Sequence, residues 1–148
     1  MALTTDDLVE INHLYAKYSH ALDGGLTELF LSVWAPDGTF TQEGRTRRGH
    51  EELRVMGSRD PGEVGRHRHF ISNIMIDGDG DQATGACYLY LTRDVKQEPL
   101  IGLYSDTLVK LDGRWVFKTR EVKGDPNRRV SEKYREQQAA WKAAGLPV

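Results

Sequence analysis

A single cysteine, Cys87, stands in 148 residues. No internal disulfide can staple the fold, which fits a reducing, cytoplasmic setting. No apolar run approaches the roughly 18 residues that a membrane-spanning helix needs, so no membrane partner is expected. The opening MALTTDDLVE has no basic stretch followed by an apolar one, so no signal peptide is expected either. Nor does charge of one sign dominate: 20 basic against 22 acidic residues leave a net charge of −2. Nucleic-acid binders need a positive surplus to neutralise phosphates. The densest basic stretches, Arg45, Arg47, Arg48 and then Arg66, His67, Arg68, are not interleaved with aromatics that could stack on bases. No nucleic-acid partner is expected. A phosphate-cradling glycine loop, a nucleophile elbow and a Cys-x-x-Cys pair are all missing. Asp77-Gly-Asp-Gly-Asp81 lacks the distal glutamate of a calcium loop and reads as a hairpin turn.

What is present is the makeup of one ordinary domain. Hydrophobic residues at 39% and charged residues at 28% fit neither a disordered chain nor a membrane protein. The length is enough to bury a core unaided by disulfides or metal. The first half reads as helical. Thr5 can cap a helix in which Leu8, Ile11, Leu14, Tyr15, Tyr18 and Leu22 recur at helical spacing, and Asp23-Gly24-Gly25 stops it. A second helix is expected over 26–34, ending at the turn signal Pro36-Asp37-Gly38, then a short strand over 39–42 and a third helix over 49–56. A Gly- and Pro-rich loop spans 57–65. The second half reads as strands over 67–76, 82–93, 100–111 and 114–123, with a loop at 94–99 and a hairpin signal at Asp112-Gly113. Residues 127–144 are polar and read as a surface or partner-packed helix, so the domain is placed at 1–126 and a C-terminal helical extension at 127–148. Helices first and a long antiparallel meander after them predict an α+β fold, a curled cone-shaped antiparallel sheet against three N-terminal helices. Such a concavity is where a small ligand binds.

Several residues could carry chemistry there. His67 and His69, two apart on a strand, point to one face. That spacing can serve a metal, but no third and fourth ligands accompany the pair, and no metal is expected. The alternatives are a buried, hydrogen-bonded histidine or a general base. Imidazole is a better base when a carboxylate fixes its tautomer. Asp23 can do so if the fold brings it across; otherwise it is a turn residue. Tyr18 is either core or a phenol that donates to a substrate oxygen. Arg120 could hold an anionic group or a developing oxyanion, or be a surface arginine like Lys118 on the same expected face. Asn73 shares the expected His69 face and could orient substrate. Tyr88 and Tyr90 share a face as pocket lining or as core.

The order of elements, with Tyr18-Ser-His-Ala-Leu-Asp23, Asp37-Gly-Thr-Phe40, Arg47-Arg-Gly-His-Glu-Glu-Leu53, His69-Phe-Ile-Ser-Asn73 and Asp112-Gly-Arg-Trp-Val-Phe117, resembles the SnoaL-like branch of the nuclear transport factor 2-like superfamily over residues 5–123. Within it the motifs are most similar to the group of scytalone dehydratase, bile-acid 7α-dehydratase and hexachlorocyclohexane dehydrochlorinase. The resemblance implies an aspartate–histidine dyad at Asp23 and His69, with Tyr18 at the tyrosine of the bile-acid enzyme and Arg120 at the arginine of the dehydrochlorinase. Gln42 stands where the ketosteroid isomerases of the superfamily place a catalytic aspartate. It cannot shuttle a proton, which argues against that chemistry.

The expected function is a cofactor-independent lyase, a dehydratase acting on a small hydrophobic molecule, cyclic or polyketide- or steroid-like. Asp23, His69 and Tyr18 would be catalytic, and Arg120, Asn73, His67, Tyr88 and Tyr90 would bind substrate. The rivals are a non-catalytic binding or oligomerisation domain, a polyketide cyclase or isomerase, and the small subunit of a ring-hydroxylating dioxygenase. Relatives imply a homodimer or homotrimer.

Overall fold

The first helix, α1 (Thr5–Gly24), starts at a reciprocal cap. The Thr4 hydroxyl accepts the Asp7 N–H at 3.2 Å, and the Asp7 carboxylate accepts the Thr4 N–H at 3.0 Å. The cap is Thr4 rather than the expected Thr5, because only from Thr4 does an acidic side chain fall three residues on. The helix ends at Gly25, whose φ of 63° is the left-handed conformation that glycine adopts without strain. Ile11, Leu14, Tyr15, Tyr18 and Leu22 of its stripe are buried, while Leu8 lies at the exposed edge.

A computed structural model describes residues 1–93 and 99–124, with Ala139, Ala140 and Ala143. The expected helix over 127–144 lies outside the described residues but for those three helical alanines, as does most of the loop at 94–99. After α1 come α2 (Thr27–Ser32), β1 (Trp34–Gln42), β2 (Arg45–Arg48) and α3 (Gly49–Gly57). Four long strands follow, β3 (Arg68–Asp79), β4 (Gln82–Thr92), β5 (Leu100–Leu111) and β6 (Arg114–Gly124). Pro36-Asp37-Gly38 is not the turn its composition suggests. It is an irregularity inside β1, where the register against β6 shifts between Trp34 and Thr39. There a strand absorbs a proline that has no N–H to give. Strand β2 was not expected. The tight turn before it has positive φ at both Glu43 and Gly44, 50° and 76°, as a type I′ hairpin requires.

The strand order is β2-β1-β6-β5-β4-β3. All neighbours are antiparallel except β1 and β6, which are parallel. The sheet is therefore mixed, curled and unclosed rather than wholly antiparallel. The chain leaves β1 through β2 and α3, runs four strands up and down, and returns beside β1 in the same direction. Helix α1 contacts β3 and β6, and α3 contacts β1. Between helices and sheet lies a core rich in aromatics. The Tyr18 ring sits 5.5–6.1 Å from those of Phe30, Trp34, Tyr104 and Phe117.

Two bulges decide which side chains enter this space. In β3, Ser72 faces Tyr88 and Met75 faces Ala86, so one extra residue is inserted between them. Asn73 takes φ 54° there. In β6, Thr119 faces Thr107 but Phe117 faces Leu108, so Lys118 is the extra residue. A single insertion moves every later side chain to the opposite face.

Candidate active site

Asp23 occupies the last turn of α1, and His69 is the second residue of β3. One carboxylate grips the histidine twice. Asp23 Oδ2 accepts the backbone N–H of His69 at 2.9 Å, and Oδ1 lies 2.5 Å from its ring Nδ1. The two side chains are 10% and 6% exposed. Burial by itself raises the pKa of Asp23. The two hydrogen bonds from His69 outweigh it and hold the carboxyl below its usual range. An ionised carboxylate can only accept, so the ring proton sits on Nδ1 and Nε2 keeps its lone pair. Nε2 makes no hydrogen bond to a described residue. No basic residue lies in the last turn of α1 to offset the negative helix end.

The His69 ring borders a cavity of about 510 Å³. Tyr18 and Leu22 line it from α1, Phe40 from β1, Leu89 from β4 and Tyr104 from β5, all buried. His67 lines it as well, half-buried, with a Nδ1 that has no partner among the described residues. Apolar and polar side chains share the wall, and the exposed or half-buried polar ones at its opening include Arg47, Arg59, Arg93, Glu63 and Gln42. The basic stretch containing Arg47 was legible, but its place at a cavity was not. Arg59 and Tyr104 carried no signal in the sequence.

Tyr18 is wholly buried, and its hydroxyl, closed off from solvent, has no partner among the described residues. Burial raises its pKa, against the partial relief of the nearby Arg120 cation, so the phenol stays neutral and remains a donor.

Four expected site residues are elsewhere. The β3 bulge turns Asn73 to solvent, whereas alternation from His69 would have pointed it inward. Tyr88 and Tyr90 are 58% and 45% exposed on the outer face of the sheet, where Tyr90 packs against Phe70. Their neighbours Leu89 and Leu91 take the cavity side. Arg120 is neither at the surface nor at the cavity. The Lys118 bulge turns it inward, where its Nε and Nη2 reach the two Asp106 oxygens at 2.8 Å each. Burial alone would lower the guanidinium pKa; the Asp106 carboxylate prevails and raises it. It lies 4.1–4.9 Å from the rings of Tyr15, Tyr18, Tyr104 and Phe117. Arg120 thus supports the cavity wall from behind.

Cys87 is buried, and desolvation pushes its thiol up to about 12, the state of an inert packing residue. Among the described residues no three His, Cys, Asp or Glu side chains converge as a metal site would require. No helix among them is long and apolar enough to cross a membrane.

Residues 4–121 match the SnoaL-like domain family. No functionally curated protein matches the sequence. Among solved structures, a cystatin-like protein of unknown function from Nostoc punctiforme is 29% identical, covering 86% of this chain and 97% of its own, with a TM-score of 0.75. A scytalone-dehydratase-like protein from Novosphingobium aromaticivorans is 25% identical over 81% of this chain and 85% of its own, TM-score 0.69. The hexachlorocyclohexane dehydrochlorinase of Novosphingobium barchaimii, 19% identical over 81% and 87% with a TM-score of 0.68, shares the fold.

Proposed function

The chain belongs to the SnoaL-like domain family, and from that premise we propose that it is a dehydratase-type lyase working by side-chain acid–base chemistry on a small molecule with an apolar body. The observation that carries this reading is the two-point grip of Asp23 on His69 at the wall of an open cavity. Similarity to the scytalone-dehydratase-like protein supports it. His69 Nε2 removes a proton from a substrate carbon. The electrons of that C–H bond form the new double bond as the neighbouring C–O bond breaks. Asp23 stabilises the imidazolium and keeps its tautomer. The departing oxygen takes the imidazolium proton and leaves as water.

The test is a panel of hydroxylated apolar compounds, followed by absorbance of the new conjugated double bond, then variants on the substrate found. His69→Ala removes the base and should lower the rate about 10²–10⁴-fold. Asp23→Asn places an amide N–H against Nδ1, drives the proton to Nε2 and should cost a similar factor. Both variants should melt as folded proteins. Full rates in both would end the dyad reading.

A further inference from the structure

Ten arginines lie among the described residues, and only Arg47 and Arg59 are half-buried; Arg120 is fully buried and the others are exposed. Both border the cavity that holds His69. Neither has a carboxylate within salt-bridge distance among the described residues, whereas Arg54 pairs with Glu28 and Arg120 with Asp106. Arg59 gives its Nε to the Leu22 carbonyl at 3.3 Å, which fixes the stem and leaves the two terminal nitrogens without a described partner. Arg93 adds a third cation at the mouth, and Glu63 is the one carboxylate among the lining residues there. Three arginines against one glutamate leave this opening positive, although the chain as a whole is net negative. Two ordinary explanations fall short. An inward charge on an edge strand guards against sheet-to-sheet pairing, which accounts for Arg47 on β2 but not for Arg59, beyond α3. Solvated rim arginines extend their heads into water, which these half-buried side chains do only in part.

We infer that the cavity takes an apolar carboxylic acid, its body against Phe40, Leu89 and Tyr104 and its carboxylate held by Arg47 and Arg59. This rests on the cavity being the substrate site proposed above. Two forked guanidinium groups match a carboxylate in geometry as well as charge. Held there, the acid would present its apolar carbons to the wall that carries His69.

Calorimetric titration of the full chain with 2-naphthoate and with 2-naphthamide, its neutral isostere, tests this apart from any chemistry. The carboxylate should bind about tenfold tighter or more, as expected for charge-assisted hydrogen bonds. Added salt should erode that preference. The variant Arg47→Gln with Arg59→Gln should abolish it while leaving the amide affinity in place; if that variant does not fold, the ratio of the two probes on the unaltered chain decides. His69→Ala should keep the preference, so a failed dyad and a failed anion site give different results. Equal affinities, a preference surviving both substitutions, or no naphthoate binding at millimolar concentration would overturn the inference.

Discussion

Removing either member of the Arg120–Asp106 pair should be the most damaging polar substitution in this protein. Both side chains are 0% exposed. Asp106 takes two hydrogen bonds from Arg120 at 2.8 Å and one from the Tyr15 hydroxyl at 2.6 Å. Arg120→Met therefore strands a buried carboxylate, and Asp106→Leu strands a buried guanidinium. Stranding one buried charge costs about 3–5 kcal/mol. For a domain of this size that is roughly a 10 °C fall in Tm, near 3 °C per kcal/mol. The double variant, Asp106→Leu with Arg120→Met, buries no charge. It leaves the Tyr15 hydroxyl without its acceptor, at about 1–3 kcal/mol, and should be more stable than either single variant. Thermal and urea unfolding of the four proteins closes the cycle. Single variants within about 1 kcal/mol of the parent, or a double variant whose cost is the sum of the two singles, would refute the reasoning.

Gly85 lies directly opposite Asp106 across β4 and β5, and a Cβ there would collide with the Tyr15 hydroxyl. Gly85→Ala should therefore lower Tm by several degrees, and adding Tyr15→Phe should recover part of the loss. Asn73, at φ 54°, should tolerate Gly but lose about 1–2 kcal/mol as Ala in urea unfolding; being exposed, it should leave naphthoate binding unchanged in both. Stability should also fall at both ends of the pH scale. Asp7, through Lys110 first, and Asp37, through Lys118, are held below their ordinary value of 3.8, as is Asp23. Their contribution is present above that value and lost as pH falls through the folded-state values. Cys87 is raised from 9.0 to about 12, and burial raises Tyr15, Tyr18 and Tyr104 above 10.0. These groups stabilise fully below their unfolded values and lose that contribution as pH rises through the folded ones. The urea midpoint should be flat from about pH 5 to 8 and drop beyond pH 10; an unchanged midpoint at pH 10.5 would contradict the alkaline arm.

Much was legible in local pattern, because local pattern reports local forces. The helical stripe from Ile11 to Leu22 and the glycines after Asp23 place α1 and its end. The Asp112-Gly113 turn and the β-rich runs around it place the meander, and the order of motifs reaches the family. Period-two alternation was a sound guide up to each bulge and a misleading one past it. It sent Asn73 inward and made Arg120 a fellow of Lys118, because one inserted residue leaves no mark on composition.

By itself the sequence determined most of the helices and strands, though not β2 or the first half of β1, and which residues could titrate near neutral pH, since capping, turn chemistry and side-chain pKa values are properties of a few neighbouring residues. The tertiary structure alone decided that Asp23 meets His69 across 46 positions, that β1 runs parallel to β6, and that Arg47 and Arg59 converge on one opening. Those outcomes depend on how the sheet curls and where its strands slip by one residue. That is a balance of packing summed over the whole core, and no short stretch of chain contains it.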